Sequence, residues 1–161
     1  MRYEVATKNQ INDIIEMKNR VKQRIINQNL PMWLNGYPLD EYIYDDIKKN
    51  YGRVIIIDNR IAGYAAFYPS NDEYKEEIND INDRYSFGRV MVDDAFLGRG
   101  IGKFLVTSMI NEAKNRGYTG MIITGDDFNT KAMNLYKSVG FIKIGEKQFP
   151  YAYLSIFKLD F

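Results

Sequence analysis

Gly98, Gly100 and Gly102 alternate with Arg99 and Ile101 where a strand-like run, Arg89–Val92, gives way to a helical one, Ile101–Arg116. No other feature constrains the fold as much. A strand entering a helix through so short a turn, followed by the buried-strand run Met121–Thr124, implies a β-α-β step from Tyr85 to Thr124. Such a step predicts a parallel neighbour and a right-handed crossover. The turn also has a chemical meaning. Glycine lets a backbone approach a ligand closely, and a helix N-terminus offers unpaired N–H groups and positive dipole. Arg99 and Lys103 add cationic side chains, and the whole fits a pyrophosphate.

The rest of the chain predicts a mixed sheet with helices on its faces. Strands are expected at Tyr3–Ala6, Arg53–Ile57, Ile61–Tyr68, Tyr85–Val92, Met121–Thr124, Phe141–Phe149 and Ala152–Leu159. Asp58-Asn59-Arg60 reads as a hairpin turn. Helices are expected at Asn9–Asn27, Leu39–Lys49, Ile101–Arg116 and Thr130–Val139, with Gly117 and Gly140 closing the last two. The segment Pro69–Arg84 is polar and acidic. With 161 residues and no linker, repeat or low-complexity segment, residues 1–161 are expected to form one domain.

Composition excludes several chemistries. Cysteine and histidine are both absent. Disulfides, a cysteine nucleophile, a Ser-His-Asp triad and the usual zinc ligands are therefore unavailable, and no metal site is expected. Acid–base work falls to Asp, Glu, Lys, water or the 13 tyrosines. A net charge of +1 gives no general attraction to nucleic acid or to acidic membranes. No apolar run approaches a membrane span and no signal-peptide pattern opens the chain, so the expected location is cytoplasmic.

Three phosphate-binding patterns compete for the turn. A P-loop fails twice, at Leu97 and Phe104. A dinucleotide fingerprint fails at Lys103 or Leu105, depending on register. The coenzyme A turn, [RQ]-x-x-G-x-[GA], matches at Gly100 and Gly102 and departs at Leu97. Downstream, Asn129-Thr130-Lys131-Ala132-Met133-Asn134-Leu135-Tyr136-Lys137-Ser138-Val139-Gly140-Phe141 is similar to N-x-x-A-x-x-L-Y-x-x-x-G-F. On these residues the chain resembles the GNAT acetyltransferase superfamily.

The resemblance implies an α/β (α+β) fold: a mixed, mostly antiparallel central sheet of about seven strands flanked by four helices, with the fourth and fifth strands a splayed parallel pair. It implies acetyl-CoA as cosubstrate and direct N-acetylation of an amine. The main chain of Val90, Met91 and Val92 would pair with the pantetheine arm. Leu97, Gly98, Arg99, Gly100, Ile101, Gly102 and Lys103 would hold the pyrophosphate, chiefly through N–H groups because Leu97 replaces the usual Arg or Gln. Asn129, Ala132 and Tyr136 would complete the cofactor site, with Tyr136 as the catalytic group near the thioester sulfur. Independently of the resemblance, Asn129 and Tyr136 lie close to two helical turns apart and project in nearly one direction. Asn129 also reads as a helix N-cap.

The acceptor side is less defined. Trp33 and Tyr37, in the loop before the second helix, are expected to bind the acceptor amine, with Tyr85 and Asp126 beside them. Asp126, Asp127, Tyr85 and the acidic segment remain open as the general base, and Tyr151 and Tyr153 are further lining candidates. The expected partners are a small-molecule or peptide amine and, as is common in this family, a second copy of the chain. A module that binds acetyl-CoA without catalysis is the alternative.

Overall fold

A computed structural model describes residues 1–161. The strands are β1 (Arg2–Val5), β2 (Gly52–Ile57), β3 (Arg60–Pro69), β4 (Arg84–Val92), β5 (Gly120–Gly125), β6 (Ile142–Gln148) and β7 (Tyr153–Asp160). The helices are α1 (Ile11–Asn27), α2 (Asp40–Lys48), α3 (Ile101–Asn115) and α4 (Thr130–Ser138). They form a seven-stranded mixed sheet in the order β1-β2-β3-β4-β5-β7-β6. The expected elements are all present, displaced by a residue or two at their ends.

Local chemistry accounts for these boundaries. Asp58 and Asn59 join β2 to β3 with φ of 49° and 60°, the left-handed pair that a tight hairpin requires. Before α1, the Gln10 side chain accepts a hydrogen bond from the Thr7 N–H at 2.9 Å, one arm of a capping box. Gly117 and Gly140 adopt φ of 84° and 106°. The N–H that follows each reaches back to a carbonyl five residues earlier, Tyr118 to Ala113 at 3.2 Å and Phe141 to Tyr136 at 3.0 Å. Both helices thus end in the expected glycine caps.

The residues fall into two compact units, Met1–Phe67 with Arg89–Val106, and Tyr68–Gly88 with Thr107–Phe161. In the first, β2 pairs antiparallel with β1 and β3. The apolar stripes of α1 (Ile14, Met17, Val21, Ile25) and α2 (Ile43, Ile47) pack with Val54, Ile56, Tyr64 and Met91. Each such side chain contributes about 1.5–3 kcal/mol on burial.

In the second unit, β5 pairs antiparallel with β7, and β7 with β6. The parallel ladder between β4 and β5 covers Arg84–Gly120 and Tyr85–Met121, the first two residues of each strand. Its core joins Tyr74, Ile81, Ile122, Phe149 and Ile156. The acidic stretch Pro69–Arg84 is therefore more than a solvated loop. Tyr74 and Ile81 are buried, Asp80 pairs with Arg84 at 2.8 Å, and Glu77 pairs with Lys147 at 3.2 Å. Tyr74, Ile78 and Ile81 stand among six acids, which is why the sequence reads as polar.

Candidate functional site

The glycine turn belongs to the first unit and is built as an open loop between two anchors. Phe96 and Ile101 are 4% and 2% exposed, whereas Leu97, Gly98, Arg99 and Gly100 between them are all exposed. Gly98 and Gly100 take φ of 77° and 73°, and a Cβ built on either would meet no atom within 4 Å. The glycines are thus required by backbone conformation, and the space that a side chain would fill stands open. Gly100 starts the helical ladder, its carbonyl accepting from the Phe104 N–H at 3.0 Å. That leaves the first N–H groups of α3 without intrahelical partners, the geometry of an anion site. The Arg99 guanidinium rests over the Phe96 ring at 5.3 Å.

The strand leading into the turn is held by arginine–aspartate pairs. Met91 is buried, and Val90 and Val92 are half-buried. The Val92 carbonyl accepts from Arg24 Nη1 and Nη2, both at 3.3 Å, and Arg24 also pairs with Asp94. The buried Asp93 carboxylate takes Arg20 at 3.1 Å and Arg60 at 3.9 Å.

Further back on β4, Arg89 donates to Asp46 of α2 through Nε at 2.9 Å and Nη2 at 2.6 Å. The Tyr64 hydroxyl donates to the same carboxylate at 2.7 Å. Burial, reinforced by the Asp46 charge, pushes the Tyr64 phenol far above its ordinary pKa.

This network reaches the predicted acceptor loop. Tyr37 meets Trp33 edge-on at 6.3 Å and Tyr42 at 5.7 Å, and its hydroxyl is 3.5 Å from Arg89 Nη1. Burial raises the Tyr37 phenol pKa. The structure thus brings Trp33 and Tyr37 together and adds Tyr42, Asp46, Tyr64 and Arg89, which sequence reasoning missed. One signal for Asp46 was available: it stands between Ile43 and Ile47 on the buried stripe of α2, where a lone carboxylate needs a partner.

The second unit holds the remaining candidates. Asn129 is the N-cap of α4, its side-chain oxygen accepting from the Ala132 N–H at 3.2 Å. Close to two turns further on, Tyr136 is 7% exposed, its ring edge-on to Phe87 at 5.6 Å, Phe141 at 6.1 Å and Phe157 at 6.4 Å. Burial pushes its phenol pKa well above the ordinary value, with a lesser contribution from Tyr68. The group is a neutral O–H donor at any physiological pH and a poor source of a fully transferred proton.

The other acceptor, base and lining candidates make structural contacts in the protein. The Tyr85 hydroxyl accepts from Arg116 at 3.2 Å, and its ring packs on Tyr118 at 4.5 Å. Asp126 closes the β5–α4 loop, its carboxylate accepting from the Phe128 N–H at 3.0 Å. Asp127 accepts from Ser155 at 2.7 Å. Tyr151 stacks on Phe149 at 5.6 Å, and Tyr153 donates to Glu146 at 2.8 Å. No group of three or more metal-ligating side chains is present. No helix is long and apolar enough to cross a membrane.

An exposed, left-handed glycine turn opening a helix, carried on a mixed α/β sheet, is a geometry suited to the phosphates of a nucleotide or coenzyme. The sequence model of the Acetyltransferase (GNAT) family matches residues 22–141, and the chain belongs to that family. It is similar to N-acetyltransferase 8B of Homo sapiens, at 28% identity over 92 residues, covering 57% of this chain and 38% of that protein. It is similar also to the ribosomal protein bS18-alanine N-acetyltransferase of Haemophilus ducreyi, at 37% identity over 97 residues, covering 55% of this chain and 63% of that one. The chain spans less than two thirds of the length of the curated relatives it matches.

Among solved structures, a GNAT-family acetyltransferase from Streptococcus agalactiae superposes with a TM-score of 0.87 at 20% identity, covering 99% of this chain and 95% of that one. The yncA protein of Salmonella typhimurium, solved with its cofactor acetyl-CoA, gives 0.70 at 19% identity, covering 99% and 93%. These two likenesses establish the fold.

Proposed function

We propose that residues 1–161 act as one acetyl-CoA-dependent N-acetyltransferase domain that moves an acetyl group directly to a primary amine of a small molecule or peptide. The observation that carries this reading is the turn at Gly98 and Gly100, left-handed, exposed and empty where a side chain would stand. That is the cradle a pyrophosphate needs, and it precedes the first turn of α3. Family membership supplies the choice of coenzyme A over other diphosphates.

In this reading the N–H groups of Gly98–Lys103 hold the pyrophosphate, and the main chain of Val90–Val92 holds the pantetheine arm. The likeness of Asn129–Phe141 to the family's downstream motif adds Asn129 and Ala132 to the cofactor residues. Acetyl-CoA supplies the activated acyl group. Tyr136 keeps its proton and donates a hydrogen bond to the sulfur as negative charge develops there, stabilising the departing thiolate in place. Trp33 and Tyr37 form the acceptor wall. A named bS18-alanine acetyltransferase among the relatives makes a peptide α-amine one acceptor to test.

The test is thiol release from acetyl-CoA against a panel of polyamines, amino acids and alanine-first peptides. Saturable, amine-dependent release supports the reading. Tight acetyl-CoA binding with no release across the panel favours a non-catalytic sensor. That second reading draws on one observation: Asp126 and Asp127, two of the open candidates for the base, both accept hydrogen bonds, from the Phe128 N–H and the Ser155 hydroxyl.

A further inference from the structure

Within β4, Arg89 alone has a left-handed backbone, at φ 52°. Gly88 stands one place earlier with ordinary backbone, so the strained conformation falls on an arginine instead of on the adjacent glycine. An L side chain resists this conformation because its Cβ crowds the following carbonyl. It persists only where the surroundings over-determine it.

Those surroundings are visible. Arg89 makes two parallel hydrogen bonds to Asp46, at 2.9 and 2.6 Å, the fork geometry that fixes a guanidinium in orientation as well as position. The Asp46 side chain is 4% exposed and that of Arg89 17%. Tyr64 of β3, fully buried, locks the carboxylate from a third side at 2.7 Å. The remaining guanidinium nitrogen lies 3.5 Å from the Tyr37 hydroxyl, and the Arg89 side chain covers the Tyr42 ring at 5.8 Å.

We infer that Asp46 and Arg89 form a positioning pair: the carboxylate on α2 holds Arg89 left-handed, which sets the direction of the Val90–Val92 main chain toward acetyl-CoA, and Arg89 at the same time seats Tyr37 and the Trp33 loop. The inference rests on the acetyltransferase reading. It assigns to one ion pair, its carboxylate buried and its guanidinium half-buried, the registration of the acceptor wall against the cofactor strand, and neither residue touches a reacting atom.

Arg89→Ala and Arg89→Gly, made in the full chain, separate backbone from side chain. Both leave Asp46 without its cation, so that shared cost cancels between them. Glycine adopts the left-handed conformation freely and alanine does not. Acetyl-CoA affinity is measured by calorimetry. The loop is followed by acrylamide quenching of Trp33, the only tryptophan.

Arg89→Ala is expected to raise the Kd for acetyl-CoA about tenfold, by depleting the competent strand conformation. Arg89→Gly is expected to return it to within about threefold of the parent. Trp33 quenching should increase equally in both, because both lack the guanidinium. Asp46→Asn, which keeps the side-chain volume, should fall between the parent and Arg89→Ala in both readouts. Equal Kd values for the alanine and glycine variants overturn the inference. So does Trp33 quenching at the parent level in both Arg89 variants, or an Asp46→Asn protein that matches the parent throughout. A parent protein that binds no acetyl-CoA overturns the acetyltransferase reading itself, and the Trp33 measurement then still reports whether Arg89 seats the loop.

Discussion

Replacing Gly100 by alanine separates the two demands on a left-handed glycine in a binding turn. At φ 73°, an alanine costs about 1–2 kcal/mol of folding free energy. Nothing lies within 4 Å of the new methyl group, so no clash adds to that figure. For a chain of this length the loss corresponds to a melting temperature lower by about 2–8 °C.

Binding should suffer separately. The methyl occupies the open space of the turn and displaces a phosphate from the N–H groups of α3. Losing one hydrogen bond to a charged partner costs about 1.5–3 kcal/mol, a Kd about ten- to a hundredfold higher. At a coenzyme A concentration of 100 times the parent Kd, the parent gains about 2.7 kcal/mol from ligand, and a tenfold weaker variant gains about 1.4 kcal/mol. Gly117→Ala is the matched control. Its φ is 84°, its surroundings are equally empty, and it caps α3 at the end remote from the turn. It should melt lower by a similar amount and bind coenzyme A as the parent does. Melting curves with and without ligand, with calorimetry for Kd, measure both terms. Parent-like affinity in Gly100→Ala, or equal weakening in Gly117→Ala, would refute the assignment of the turn.

Tyr136→Phe keeps the ring contacts with Phe87, Phe141 and Phe157. It should lower kcat about a hundredfold, the usual cost of losing one donor to developing charge, with the Kd for acetyl-CoA changed by less than about twofold; steady-state kinetics and calorimetry check the two. Tyr64→Phe removes a buried hydrogen bond to the Asp46 carboxylate and should cost about 2 kcal/mol in urea unfolding, because such bonds to charged groups are worth about 1.5–3 kcal/mol. Arg84 holds the Asp80 carboxyl below the usual carboxylate range through a hydrogen bond, and Lys158 and then Arg84 do the same for Asp160. With folded pKa values depressed, the stability from these pairs is present above about pH 4 and is lost as pH falls through the folded values. Melting temperatures between about pH 6 and pH 2.5 should drop at the acid end, and Asp80→Asn should flatten part of that drop.

Most of the fold was legible because its signals are local. The glycine caps after α3 and α4, the Asp58-Asn59 turn and the apolar stripes of α1 and α2 each act within a few residues, over which side-chain spacing and backbone sterics decide the outcome. The turn at Gly98 and Gly100 was legible for the same reason, since a strand, alternate glycines and a helix start are contiguous. The Pro69–Arg84 segment was not. Tyr74, Ile78 and Ile81 earn their burial from β5, β6, β7 and Phe149, which lie far along the chain.

The candidate site divides along the same line. Asn129 as an N-cap and Asp126 as a turn closer follow from bonds to N–H groups three and two residues on, a preference these side chains carry wherever a loop meets a helix. A reading that assigns them to ligand or base must therefore compete with a local task that every such sequence offers. Arg89 and Asp46 are the opposite case. They are 43 residues apart, and what joins them is a contact across the fold. The carboxylate breaks the apolar stripe of α2 and the guanidinium breaks the apolar run of β4, and neither irregularity alone names its partner. Taken together they are complementary: a buried carboxylate on a helix needs a cation, and the half-buried guanidinium on a strand supplies it. Two unmatched charges of opposite sign on two otherwise apolar faces are thus themselves a contact prediction, and in this chain that contact fixes the strand on which the proposed chemistry depends.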